Sequence, residues 1–389
     1  MARGWHIAGQ MPLGDLCRFL RNISMKRPVC MSFLASQSTS DVSTTLPYER
    51  ATDAPGTVAI IGAGIAGLVC AQMLSSVGIQ VVVFDKARAP GGRITTRRRD
   101  DFEWDMGAQM FTAENDLFVE QVRDWQTQGL VRRWRGRFAG SEIGQHDKGP
   151  FYVGLPRMGD IAKAMARGLD VRYPIRIDHI HQDDTTGNWS LTDEEGGDHG
   201  SFQTVLSAMP KQQTEALFGA YPEMRQGLKM AGSLAPTWSL YVAFRERLDV
   251  GFDAKVLADG PLKLLLRNNA KPERPAQPEC WVVHADADMS EQYLENAREE
   301  MADELLTAFE QSVEKKLPPV VALRAHRWRY AVPMGQSGFR SMYDNRLGLG
   351  FMGDWVQPPN SQFGGVEAAF LSGRALAQQA QTLLQRSIS

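Results

Sequence analysis

Cysteine is scarce in this chain and widely scattered. Cys17, Cys30, Cys70 and Cys280 are the whole complement, and no two stand in a CxxC pair. That argues against a disulfide scaffold and against zinc-finger spacing, and points to free thiols in a reducing compartment. The seven histidines contain no HExxH. His179 and His181 alternate, so in a strand they share one face of a solvated hairpin, and no metal site is expected. Charge of one sign is also lacking: 43 Lys and Arg nearly balance 45 Asp and Glu, for a net charge of −2. Nothing here calls for nucleic acid as a partner, and the acidity of a disordered chain is absent. Apolar runs are short. A bilayer span needs about 20 apolar residues, but the greasiest stretch, Thr57 to Ala71, runs into Gln72, Ser75, Ser76 and the turn-forming Gly78. Stable membrane insertion is not expected, and no helix is basic enough to argue for membrane association. No Ser–His–Asp set or carboxylate pair announces itself.

What is present begins with an unusual N-terminus. Residues 1–54 form an extension carrying Arg3, Arg18, Arg21, Lys26 and Arg27, many hydroxyl side chains and few acids. Three readings stand: a disordered tail, a start that precedes the working one at Met25 or Met31, or a transit peptide, which has this bias. "DLCRFLRNI" has the pattern of one short helix. The expected location is cytoplasmic, or organellar if residues 1–50 direct transport. A chain of 389 residues suggests two or three domains.

From Thr57 the pattern is strand, tight turn, helix, strand: an apolar run to Ile61, a helical period from Ile65 to Val77, then a second apolar run, Val81 to Phe84. Between the first strand and the helix lies GxGxxG, formed by Gly62, Gly64 and Gly67. The first glycine allows the turn, the second admits a pyrophosphate to the backbone amides, and the third lets helix and strand pack closely. Asp85 closes the second strand, where a carboxylate accepts a ribose hydroxyl. Farther on, residues 113–134 read as a helix, residues 170–208 as a hairpin followed by a buried strand, and "SEQYLENAREEMADELLTAFEQSV" as one amphipathic helix capped by Ser290. Trp328 and Tyr330 lie two apart in a strand and share a face, with Arg327 and Arg329 opposite, solvated or facing an anionic substrate.

After the second strand comes "DKARAPGGRITT", then "EWDMGAQMFTA". These stretches resemble the GG-doublet flavoproteins, the FAD-dependent amine oxidase and desaturase superfamily, and within it the renalase-like branch. "RNNAKPER", "AHRWRYAVP", "GFMGDW" and "GGVEAAFLSG" follow in the order expected of that branch. The resemblance implies an α/β fold: a Rossmann-like FAD-binding domain of glutathione reductase type (55–112, 150–212 and 320–385) with an inserted mixed or antiparallel-sheet substrate domain (113–149 and 213–319). It implies non-covalent FAD held by Gly62, Gly64, Ala66, Gly67, Asp85, Lys86, Gly92, Arg93, Gly107, Ala108, Gln109, Met110, Ala208, Gly353, Asp354, Gly365 and Val366. Arg93 would support the phosphate and flavin region, Asp354 the ribityl chain, and Gly365 and Val366 the pyrimidine end of the ring. Gln109, Trp328, Tyr330 and Trp355 are the candidates for the reacting face, although buried aromatics more often serve as core. The implied substrate is a small molecule, a reduced nicotinamide-type dihydropyridine, with O2 as acceptor. An amine oxidase or desaturase acting on another molecule, and a non-catalytic FAD-binding protein, are the alternatives. The best match to the strand that carries an active-site lysine in amine oxidases, "APTWSLYVAF", has no lysine, and no cysteine lies in 350–370 to bond a flavin. Oligomeric state is not legible.

Overall fold

The computed structural model describes residues 57–99, 102–140, 150–358 and 365–388. The N-terminal extension, with the helix expected in "DLCRFLRNI", lies outside the described residues, as does most of "NSQFGG".

The chain opens with β1 (Thr57–Ile61), α1 (Ile65–Ser76) and β2 (Gln80–Phe84), followed by a 3-10 turn at Gly92–Ile94 and a hairpin of β3 (Thr96–Arg99) and β4 (Phe102–Asp105). Next come α2 (Asp116–Thr127), β5 (Val131–Arg133), β6 (Phe138–Ala139), β7 (Tyr152–Gly154), α3 (Met158–Met165) and β8 (Asp170–Arg172). A three-stranded antiparallel sheet of β9 (Ile177–Gln182), β10 (Trp189–Asp193) and β11 (Asp198–Phe202) precedes β12 (Thr204–Ser207), α4 (Lys211–Phe218) and α5 (Pro222–Met230). Then follow β13 (Ser233–Phe244), β14 (Ala254–Val256), β15 (Leu262–Arg267), β16 (Glu279–Ala285), α6 (Ala287–Gln292), α7 (Arg298–Val313) and β17 (Val320–Met334). β18 (Met342–Asp344), β19 (Leu349–Phe351) and α8 (Gly365–Ile388) close the chain.

Two six-stranded sheets organise these elements. The first has the order β18-β19-β12-β1-β2-β8 and is parallel apart from β18. All five residues of β1 are buried because the sheet is covered on both faces, which is why its sequence is continuously apolar rather than alternating. Leu68, Leu74, Phe370 and Leu376 from α1 and α8 cover one face. Trp189, Phe202, Phe218 and Met224 fill the other, beneath the three-stranded sheet. This is a Rossmann-like domain.

The second sheet has the order β17-β13-β16-β15-β14-β6 and is mostly antiparallel. On one face Trp238, Leu240, Trp281 and Val283 pack against Leu305 and Phe309 of α7. Each such buried side chain contributes roughly 1.5–3 kcal/mol of transfer free energy. The opposite face turns Tyr241, Ala243, Cys280 and Val282 toward Trp104 and Met106 at the end of β4. β17 pairs with β13 along most of its length, so residues 320–334 belong to this sheet rather than to the glycine-turn domain in which the sequence reading put them.

Three local expectations need correction. The stretch read as one helix over 113–134 is α2 with Asn115 as its cap, followed by β5. The stretch read as a hairpin from 170 contributes its first strand, β8, to the parallel sheet beside β2. The helix expected after Ser290 is two helices. Asp286 caps α6 by accepting from the Met289 amide at 2.8 Å. Ser290 lies inside α6, buried, where its hydroxyl accepts from the Trp238 amide at 3.0 Å.

Candidate active site

The glycine turn is built as its spacing requires. Gly62 takes φ +113°, open mainly to glycine, and its amide donates to the Phe84 carbonyl at 2.7 Å. A Cβ on Gly67 would overlap the Gly62 carbonyl oxygen and crowd Ala208, so the start of α1 lies hard against the turn. Across the same helix, Gly373 lets α8 approach the Ala66 carbonyl. Gly64 differs: nothing lies within 4 Å of where its Cβ would be. Gly64 caps α1 without a side-chain hydrogen bond, and the first turn holds no acidic residue. The first amides of a helix have no partner within it, and with open space beside Gly64 this helix start suits an anion.

Asp85 sits beside this opening. One of its oxygens accepts from the Ala63 amide at 2.6 Å and the other from the Ala87 amide at 2.8 Å. Each oxygen keeps a further lone pair. Nearby is Tyr173, whose buried hydroxyl has no partner. Burial, together with the Asp85 charge, pushes that phenol up to about 12. Lys86 turns away to Gln213 at 3.2 Å.

The GG doublet folds back onto the turn. The Gly91 amide donates to the Ala63 carbonyl at 2.9 Å, and Gly92, at φ +52°, faces Gly64. Arg93 then reaches the far end of the chain. Its guanidinium grips both oxygens of Asp354, at 2.7 and 2.6 Å, and donates to the Ala331 carbonyl at 2.9 Å. The pair is separated by 261 positions. Gly365, the first residue of α8, would place a Cβ 3.2 Å from an Asp354 oxygen. Gly107 presses on the Arg93 carbonyl, which accepts from the Ala108 amide at 2.8 Å. Gly62, Gly64, Gly92, Arg93, Gly107, Ala108, Asp354 and Gly365 thus form one continuous set of contacts. Val366 and Met110 pack into the adjoining core. Gly353 is held by Ser372 at 2.9 Å. Trp355 is fully buried, stacked on Phe351, and donates to the Met209 carbonyl at 3.1 Å.

Gln109 is tied down from both ends. Its amide nitrogen donates to the carbonyls of Asp105 (2.6 Å) and Gly107 (2.9 Å), and its oxygen accepts from Lys271 at 2.9 Å. Lys271 also reaches Asp105 at 2.9 Å, as does Arg274 at 2.8 Å; the three side chains have no exposed area. Thr96 (2.7 Å) and the Met158 amide (3.1 Å) complete the Asp105 shell. Burial alone would raise the Asp105 pKa, but the two cations outweigh it and hold the carboxyl far below its ordinary value. Burial pushes Lys271 down to about 8. In the sequence "RNNAKPER" carries three basic residues, Arg267, Lys271 and Arg274, among polar neighbours, and nothing in it marks two of them as buried partners of Asp105.

Trp328 and Tyr330 lie two apart on β17, but its pairing with β13 shifts register between Trp328 and Val332, and the two rings join different cores: Trp328 the one around Trp104 and Tyr241, Tyr330 the one around Phe351 and Trp355. The Trp328 indole donates to the Tyr241 hydroxyl at 3.3 Å, and that hydroxyl donates to the Met106 carbonyl at 2.5 Å, just before Gly107. Tyr330 adjoins the carbonyl that Arg93 holds. The same sheet face carries His284, whose buried Nε2 has no partner and which burial and Lys271 push down to about 4. Arg327 and Arg329, on the other side, both bind Glu295. Of the sequence candidates, Gln109 and, through Tyr241, Trp328 meet at the Met106–Gln109 loop, while Tyr330 and Trp355 pack together into the core around Phe351.

An uncapped helix start, a carboxylate with free lone pairs beside an unpartnered hydroxyl, and a second helix start next to a half-buried Arg–Asp pair together suit a long dinucleotide. Residues 60–124 match a family of NAD(P)-binding Rossmann-like domains. The chain is 42% identical over 81 residues to a 4,4'-diapophytoene desaturase (4,4'-diaponeurosporene-forming) of Staphylococcus aureus (strain Newman), and 33% identical over 81 residues to an L-amino-acid oxidase of Gloydius halys. Each alignment covers 20% of this chain and 16% of the relative, so the chain matches less than a fifth of the length of these curated proteins. A putrescine oxidase variant superposes with a TM-score of 0.64 at 12% identity, covering 84% of this chain and 99% of that one. At that identity the likeness concerns the fold: a Rossmann-like domain joined to a sheet-rich one.

Proposed function

We propose that this chain is a flavin-dependent oxidoreductase of the amine oxidase and desaturase type, which binds FAD without a covalent link and oxidises a dihydronicotinamide-like small molecule, with O2 as acceptor. The observation that carries the reading is the doubly hydrogen-bonded Arg93–Asp354 pair, set between the open helix start at Gly64 and the helix start at Gly365.

In this reading the amides at the start of α1 hold the pyrophosphate, Asp85 accepts a ribose hydroxyl, and Ala208 with its neighbours borders the adenine. Arg93, Asp354, Gly365 and Val366 hold the ribityl and ring end. Flavin, when bound, supplies two-electron chemistry. The chain supplies orientation and dryness. Lys271 and Asp105 fix Gln109, and Gln109 fixes the loop 107–110. Trp328 and Tyr330 give the substrate an aromatic face. Loss of a hydride from carbon demands no obligatory protein acid or base. No cysteine adjoins Asp354, and Cys70 and Cys280 are buried free thiols, which supports non-covalent binding.

The test is anaerobic spectroscopy of the purified protein. Dihydronicotinamide isomers should bleach the flavin band, and air should restore it. Bleaching by amines instead would favour the amine oxidase reading, to which the L-amino-acid oxidase match gives some support. A yellow protein indifferent to every nicotinamide form would refute the dihydronicotinamide reading.

A further inference from the structure

The long strand β17 breaks step with its neighbour at one place. Val332 stands opposite Ala235 and Trp328 opposite Thr237, so Arg329, Tyr330 and Ala331 face Pro236 alone. The cause lies in the sequence: proline has no N–H to give to a ladder, and pairing lapses opposite it. Such bulges re-aim the side chains around them. This slip marks the point where β17 passes from one core to another. Trp328 packs with Trp104 and Tyr241 of the antiparallel sheet, and Tyr330 with Phe351 and Trp355 beside the parallel one. The slip is also held from outside its sheet. Nη1 of Arg93 donates to the Ala331 carbonyl at 2.9 Å and to one Asp354 oxygen at 2.7 Å, and Nη2 donates to the other oxygen at 2.6 Å. Asp354 follows β19 of the parallel sheet, whereas Ala331 belongs to the antiparallel one. One guanidinium thus bolts the two sheets together at the slip. The backbone of the same residue holds the loop to which Trp328 is tied. The Arg93 carbonyl accepts from the Ala108 amide at 2.8 Å, and Tyr241, which Trp328 touches, donates to the Met106 carbonyl.

We propose that Arg93 is a positioning residue for the substrate: by pinning Ala331 while it grips Asp354, it fixes where β17 places Trp328 relative to the flavin-binding segment. A guanidinium suits this task because its planar fork presents several donors in fixed directions. Lysine would keep a charge for Asp354 but offers one nitrogen in place of two. The role differs from the phosphate and flavin support that the resemblance implies, which needs no contact with β17. The inference rests on the flavin reading and adds to it a residue that ties the cofactor's place to the substrate's.

The test compares wild type with Arg93→Lys, each without FAD and with saturating FAD. Hydrogen exchange read by mass spectrometry should show residues 328–334 exchanging about tenfold faster in the variant, the loss expected for one hydrogen bond from a charged donor. α7 should exchange as in wild type, which shows that the variant is folded. At saturating FAD, KM for a dihydronicotinamide should rise about fivefold with kcat held within about twofold, the split expected when substrate binding rather than the reaction step is weakened. Arg93 acting on the cofactor alone would instead weaken FAD binding and leave KM unchanged once FAD is saturating. Equal exchange of 328–334 in the two proteins, or an unchanged KM, would overturn the positioning role and leave the flavin reading standing. If the variant takes up no FAD, the exchange comparison without FAD decides, because the contact between Arg93 and Ala331 is made by the chain alone. Wild-type protein that takes up no FAD would overturn both.

Discussion

Replacing Asp105 by asparagine probes the buried cluster behind Gln109. Asp105 is the only anion among three fully buried charged side chains, and it accepts from Lys271 at 2.9 Å and Arg274 at 2.8 Å. Asparagine nearly preserves the shape, but it leaves two buried cations with no counter-charge. Breaking a buried pair in this way costs about 3–5 kcal/mol, a large part of a typical total of about 5–15 kcal/mol. Lys271→Met is the comparison. It leaves Asp105 with Arg274, Thr96 and the Met158 amide, and lifts the penalty of burying an ammonium. What it loses is the donor to the Gln109 oxygen, and an unsatisfied buried acceptor costs about 1–3 kcal/mol. Asp105→Asn should therefore be the more damaging change, by about 2 kcal/mol. Urea unfolding followed by tryptophan fluorescence measures the difference. If the two variants unfold at the same midpoint, or Lys271→Met unfolds first, the cluster is not organised around its single carboxylate.

The glycine turn offers a paired prediction. Gly67→Ala should destabilise the fold by about 1–3 kcal/mol, because its Cβ meets a backbone carbonyl that cannot yield. Gly64→Ala should leave stability within about 0.5 kcal/mol, since φ is −79° and the space is open, yet weaken FAD binding at least tenfold; thermal melts and flavin titration separate the two effects. Stability should also fall on mild acidification. His284 and His326 are held near 4 by burial, whereas an unfolded chain's histidines protonate near 6.5. Below pH 6.5 the unfolded state binds more protons, so the contribution is fully present above 6.5 and drains away as the pH falls toward 4. Denaturation midpoints at pH 7 and pH 5 that coincide would contradict this.

The cradle was legible because its determinants are local. Glycine spacing, an apolar strand on either side and one acid after the second strand specify β1, α1, β2 and Asp85 within about thirty positions. Alternation alone put Trp328 and Tyr330 on one side of a strand, and the register shift just beyond Trp328 has no signal in it. Contacts made across the sequence were not legible. No pattern pairs Asp105 with Lys271, 166 positions away, and nothing in residues 320–334 says which sheet they join. Helix ends failed where an upstream cap was overlooked: Asp286, not Ser290, starts α6. Arg93 and Asp354 were each expected near the cofactor on the strength of the resemblance, but their direct pairing emerges only in three dimensions.

The central claim is that the glycine turn and the Asp354 segment hold one and the same flavin. Flavin content of the purified protein, read from its absorbance and from the extracted cofactor, tests this most directly when wild type is set beside Asp354→Ala and Gly64→Ala. The account predicts one FAD per wild-type chain and a large loss in both variants. A colourless wild-type protein that takes up no added FAD, or variants that keep a full complement, would contradict it.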